Sequence, residues 1–271
     1  MKKTIGLVVL STLLSQTLWA ASSADKIKLL KDPHNQRMQS VTKQDAMSLD
    51  RLENMFTMDS KAPGFYAMLR RATFHHKQKA VPLLIKVMKD SKYPEKNRWH
   101  ATFFLGQIMG RKSAPFIAKF SDHPHWMMRV ASLKALMALK QDQYHAVYSK
   151  ALRDPSLIVR VQALDNISQM NIKPLAPHVW AMLYDKSNYV GEAGKLKRTS
   201  IVKSIIRTVG DLEFEKAEKP LAKLIQKPKY NDLVKELDYS LSKITGKNSP
   251  KSSDSARRSF WASHSVQKPK L

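Results

Sequence analysis

Cysteine is absent from all 271 residues, so no disulfide can contribute to stability and a packed apolar core must carry the fold. Glycine is scarce, at eight, and alternating β-branched runs are hard to find, which leaves helix as the default local structure. Acidic side chains are few, 22 against 47 Lys and Arg, which leaves little material for a pair of catalytic carboxylates. No Gly-rich phosphate-binding loop is present. Beyond the N-terminal region no apolar run approaches the roughly 20 residues that a helix needs to cross a bilayer.

What is present begins with a pattern of export. Lys2 and Lys3 precede a short apolar stretch from Ile5 to Leu14, and Leu18-Trp19-Ala20 ends on a small residue. A secretory signal over residues 1–20 is expected, with cleavage after Ala20 or, a few residues later, near Ser22-Ser23-Ala24. The apolar stretch is short for an uncleaved anchor, and without cysteine there is no lipidation site of the bacterial lipoprotein kind. The expected destination is the periplasm or the medium, with no transmembrane segment after signal removal.

The formal net charge is +25. Removing Lys2 and Lys3 leaves +23, of which residues 246–271 carry +5, so about +18 belongs to the body of the protein. A field of this sign concerns solubility, steering and association with polyanions, and does not select a fold.

One internal period organises the chain. Arg98, Arg129 and Arg160 stand 31 residues apart, each after a proline turn at Pro94, Pro124 or Pro155. Three positions on, the residue is small (Ala101, Ser132, Ala163), and seven on it is apolar (Leu105, Leu136, Ile167). A fourth copy starts at Arg198 with Ile201 and Ile205, after a longer interval and without the Asp-Pro turn. Shorter amphipathic stretches lie between, at Ser113–Phe120, Gln143–Arg153 and Pro174–Tyr184, so the unit is helix, turn, helix. Leu212–Gln226 and Lys229–Ile244 read as a last pair closed by Gly246.

The run from Asp154 to Leu164 (DPSLIVRVQAL) resembles the HEAT repeat, whose second helix opens with an acidic residue, a turn, Val-Arg and an alanine-rich apolar face; Met128–Leu133 is a looser copy. The resemblance covers Pro94 to Gly210 best and implies an all-α fold, a right-handed alpha-solenoid of antiparallel HEAT-like helix pairs. Such pairs bury their apolar faces by stacking on their neighbours. The expected organisation is the signal at 1–20, a flexible or weakly helical segment at 21–43, the repeat body at 44–245 and a basic disordered tail at 246–271.

Chemical motifs are sparse. His75-His76 and the pair His123 and His125 bring imidazoles close in sequence, yet no Cys, Asp or Glu cluster completes the three or four protein ligands usual for zinc. No metal and no cofactor is expected. Asp154, Asp165, Glu192 and Asp211 fall at turns or on helix faces where capping or ion pairing accounts for them. Phe103 and Phe104 read as inter-helix packing, while Trp99 and Trp126 stay open between packing and ligand contact.

The repeat arginines Arg98, Arg129 and Arg160 have two readings. In HEAT-like stacks the equivalent arginine pairs with an acidic residue of a neighbouring turn, for which Asp122 and Asp154 are placed here; alternatively the three form an edge of cations. Lys134, Lys195, Lys197, Lys203 and Arg207 are not demanded by the repeat. As residues of second helices, which line the concave face in this architecture, they are the candidate ligand-binding cations, against the reading of an ordinary solvated face. The expectation is an exported, non-catalytic scaffold that engages a protein partner or an anionic envelope polymer by multivalent charge contacts. Nucleic-acid binding is the alternative, and an enzyme on a HEAT-like scaffold the third.

Overall fold

The computed structural model describes residues 48–189 and 199–266. The expected signal, the segment at 21–43 and the candidates Lys195 and Lys197 lie outside the described residues. The chain divides between Leu52 and Glu53; of the first unit only Ser48–Leu52 is described, most of it the start of the first helix, and the packing described below concerns the second.

Among the described residues the fold is all-α, with no strand. Its helices are α1 (Leu49–Thr57), α2 (Phe65–His76), α3 (Val81–Lys89), α4 (Glu95–Met109), α5 (Ala114–Ala118), α6 (Trp126–Ala138) and α7 (His145–Ala151). They continue with α8 (Leu157–Gln169), α9 (Ala176–Ala181), α10 (Thr199–Asp211), α11 (Glu218–Ile225), α12 (Val234–Thr245) and α13 (Asp254–Val266). Short and long helices alternate from α3 to α12. Each short one packs on the long one that follows it: α3 on α4, α5 on α6, α7 on α8, α9 on α10 and α11 on α12. The long helices pack in succession, α4 on α6, α6 on α8, α8 on α10 and α10 on α12.

The sequence period accounts for this packing. Ala101, Ser132 and Ala163 are fully buried, as are Leu105, Leu136 and Ile167 and the fourth-copy residues Ile201 and Ile205. Small residues let neighbouring helices approach while the larger ones fill the space between them. Buried polar side chains bond across the packed helices: Asn166 Nδ2 donates to the Leu133 carbonyl at 2.8 Å and Ser240 Oγ to the Ile206 carbonyl at 2.7 Å.

The ends of the long helices share one device. A residue with positive φ follows each helix by one or two positions: Gly110 (φ 57°), Lys140 (52°), Asn171 (51°), Glu213 (52°) and Gly246 (70°). At three of these ends the next amide reaches back five residues, Gln141 N to Leu136 O, Ile172 N to Ile167 O and Phe214 N to Val209 O. This is the Schellman closure, which satisfies carbonyls that the helix leaves open. The short helices α3, α5 and α9 carry proline in the first turn, where the missing donor has no helical partner to lose.

Gly210 permits a close approach of α10 and α12. A Cβ at this position would stand 2.6 Å from Ser240 Cα, a backbone atom of α12 that cannot rotate away. Gly210→Ala should therefore destabilise the protein by about 1–3 kcal/mol, the usual range for overpacking, despite the better helix propensity of alanine. Urea unfolding measures this, and a neutral or stabilising result would contradict the α10–α12 contact.

The C-terminal region corrects the sequence reading. Disorder is expected over Lys247–Leu271, yet Asp254–Val266 forms α13, which packs on α11 and α12. Trp261 is its anchor, only 1% exposed. The helical body thus runs beyond the expected boundary at residue 245.

Candidate functional site: a lysine row beside an aromatic groove

The repeat arginines are engaged inside the fold. Arg129 makes a two-pronged pair with Asp154, Nε to Oδ2 at 2.7 Å and Nη2 to Oδ1 at 2.6 Å, and its Nη1 donates to the carbonyls of His123 and Pro124. Asp154 also accepts from the Ser156 amide, so one carboxylate joins two turns. Arg98 departs from the expected pattern. It is buried, and its Nε and Nη2 donate to the Met88 carbonyl while Nη2 also meets His123 Nε2 at 2.9 Å. Asp122, one of the two acidic residues expected to pair with the repeat arginines, instead receives Lys150 Nζ at 2.8 Å. Burial, then the charge of Arg98, holds the His123 imidazole below its ordinary pKa. Arg160 is buried and donates from Nη1 to Ser187 Oγ at 2.9 Å.

The described candidate cations do not form one surface. Lys134 on α6 is exposed, its Nζ 5.9 Å from the centre of the Trp99 ring on α4. Lys203 and Arg207 stand on α10. Arg207 is exposed and lies 4.2 Å from the centre of the Tyr239 ring, which Lys243 Nζ also approaches at 5.7 Å. Tyr239 in turn donates its hydroxyl to Asp211 Oδ1, and Ser168 Oγ donates to Asp211 Oδ2, both at 2.5 Å, so Arg207 sits on a bonded junction of α8, α10 and α12. Between α6 and α10 comes α8, whose exposed residues are Ile158, Val161, Asp165 and Gln169. No cation among them links Lys134 to Lys203.

The aromatic candidates divide. Phe104 is buried against Phe74, with ring centres 5.8 Å apart, and Phe103 is half-buried against Trp99 at 5.4 Å. Trp126 remains 37% exposed beside His125. Among the described residues no three His, Asp or Glu side chains converge as metal ligands.

A denser arrangement lies around α11, where the sequence reading placed no site. Lys219, Lys223 and Lys227 recur every fourth residue and are all exposed. None of them forms an ion pair with a described residue. Lys219 and Lys223 stand four apart on α11, where like charges repel by a few tenths of a kcal/mol, and Lys227 follows in the turn beyond the helix, so helix stability does not explain the row. On one side it borders a groove of about 460 Å³ whose floor includes Val202, Ile206, Leu233 and Leu237. Trp180, Tyr184, Tyr189 and Tyr230 add aromatic walls, and no acidic residue is among its described lining. On the other side the same three lysines border a second groove of about 560 Å³, with Trp261, His264 and Glu218. The signal for the row was available in the sequence as lysines at helical spacing, but lysine is also the commonest occupant of a solvated face, and the aromatic residues come from segments distant in the chain.

No known protein family matches the chain, and no curated protein is similar to it. Among the described residues no helix is long and apolar enough to cross a membrane.

Proposed function

We propose that this chain is an exported, non-catalytic binding scaffold, a right-handed alpha-solenoid of HEAT-like helix pairs that engages an anionic partner, a protein or an envelope polymer. The observation that carries the reading is the row Lys219, Lys223 and Lys227: three exposed cations bordering the same groove, none neutralised by a described acid. The succession of long helices, each packed on the next, supports the repeat architecture. The interruption at α8 favours contact at the α11 end over a continuous basic strip along the long helices. In this location a polyanion meets several cations at once, and the contacts weaken together as salt screens them.

The test is retention of the purified protein on envelope fractions, on an acidic protein and on DNA across a salt series. Lys219→Glu/Lys223→Glu/Lys227→Glu should lower low-salt retention on the favoured class by roughly tenfold relative to a charge-matched reversal of Lys61, Lys79 and Lys112. Equal losses from the two triple variants would reduce the binding to net charge and end the case for a site at α11. Preferential retention on DNA would replace the anionic protein or envelope polymer by a nucleic acid.

A further inference from the structure

We infer that the groove beside this lysine row takes an anionic amphiphile, with one alkyl chain on the apolar floor and a carboxylate or phosphate head held by Lys219, Lys223 and Lys227. The inference rests on the reading of the row as an anion-binding site and adds what the groove selects.

Three properties of the groove lead to this ligand class. The floor residues Val202, Ile206, Leu233 and Leu237 belong to the core and offer no donor or acceptor from their side chains. An alkyl chain covers such a floor without stranding a polar group, whereas a peptide backbone or a base edge laid on it would lose hydrogen bonds to water. The walls are amphipathic: Tyr184 is 73% exposed, and Trp180 packs edge-on against it with ring centres 6.1 Å apart. Such rings offer an apolar body to a chain while their polar tips stay near water. The Tyr189 hydroxyl is already donated to the Leu183 carbonyl at 2.8 Å, and burial pushes its phenol pKa up, so this wall stays neutral.

Among the described lining residues the charge lies on Lys219, Lys223 and Lys227 and has one sign. Lys219 and Lys223 reach the groove from α11 and Lys227 from the turn after it, and no acidic residue is among its described lining, so a cationic amphiphile finds no counter-charge among these residues. The volume of about 460 Å³ lies in the range of sites that enclose small organic ligands. The neighbouring groove is bordered by Glu218 and lacks the tyrosine wall, which makes it the poorer site for the same ligand.

The experiment is calorimetric titration of the full chain, with probes kept below their micelle concentrations. Dodecanoate and dodecyl phosphate should bind with one site, dodecyltrimethylammonium should not bind, and octanoate should bind roughly 100-fold more weakly for its four missing methylenes. Tyr184→Ser alters an exposed ring and leaves the core alone; it should weaken dodecanoate about tenfold and leave salt-sensitive retention on polyanions unchanged. The triple lysine reversal should remove both. Sedimentation with phosphatidylcholine vesicles, with and without phosphatidylglycerol, separates the two sources of the head group. Tyr184-dependent binding to the anionic vesicles identifies a membrane lipid, and binding of monomeric dodecanoate alone identifies a free amphiphile; both support the groove. If dodecanoate binds no better than octanoate while retention by the lysine row persists, the groove inference is overturned and the anion-binding reading stands. If an oligonucleotide displaces dodecanoate and chain length has no effect, stacking replaces the alkyl site. Loss of both binding modes in the unaltered protein overturns the two together.

Discussion

Arg129→Ala should destabilise the protein by about 3–5 kcal/mol, the range for removing one partner of a buried ion pair. Asp154 would keep its negative charge at a side chain that is 9% exposed, losing both Arg129 bonds and retaining only the Ser156 amide. The carbonyls of His123 and Pro124 would lose their common donor as well. Arg129→Lys keeps the charge but cannot reproduce the two parallel bonds, so an intermediate loss is expected. Lys150→Ala provides the comparison, because the Lys150–Asp122 pair is 71% and 60% exposed at its two side chains and such pairs contribute at most about 1 kcal/mol. Urea unfolding of the three variants measures the order. If Arg129→Ala is no worse than Lys150→Ala, the link between the turns at Pro124 and Pro155 is not structural.

This contrast shows what the sequence period could and could not convey. The spacing of Arg98, Arg129 and Arg160 located three equivalent helices, and the small and apolar positions after each arginine are buried as the pattern implies. The acidic partners expected for these arginines were met at only one of the three. Arg129 meets the aspartate of the next turn, but Arg98 faces a turn carrying His123 and bonds to that imidazole and a carbonyl, while Arg160 reaches Ser187. A guanidinium has five donors and can donate to carbonyl, hydroxyl or carboxylate oxygens, so a repeated arginine preserves a location more strictly than a chemistry.

The candidate site was less legible for a different reason. Lys134, Lys203 and Arg207 were singled out because the repeat does not demand them and they stand on second helices, which line the concave face in the expected architecture. Whether cations align across helices depends on every intervening helix, and Ile158, Val161 and Asp165 break the row on α8. The lysines at 219, 223 and 227 gain their interest from Trp180, Tyr184, Tyr189 and Tyr230, which the fold brings beside them from other segments. A local window shows the spacing of 219, 223 and 227 and cannot show that wall.

The C-terminal helix gives the other large expected effect. Trp261→Ala should cost about 3–5 kcal/mol, the range for deleting a large buried aromatic side chain. The sequence reading of this region rested on its Ser, Lys and Arg content, which by itself favours disorder. One fully buried tryptophan changes the balance, because its apolar area is joined to a specific polar contact: Nε1 donates to Asp238 Oδ1 at 2.7 Å. The same carboxylate accepts from Ser249 Oγ at 2.5 Å and faces Arg257 Nε at 3.3 Å, so residues before and within α13 converge on one side chain of α12. Trp261→Phe retains most of the apolar area and removes the donor, and should cost about 1.5–3 kcal/mol as the loss of a hydrogen bond to a charged group. Thermal unfolding together with amide exchange of residues 254–264 measures both effects. A docked α13 gives protected amides that Trp261→Ala releases, whereas a tail that is disordered in solution gives fast exchange in the unaltered protein and no change in stability. The docked helix also sets one border of the second groove through Trp261 and His264, so Trp261→Ala should open that groove and leave the tyrosine-walled one, built from α9 to α12, in place.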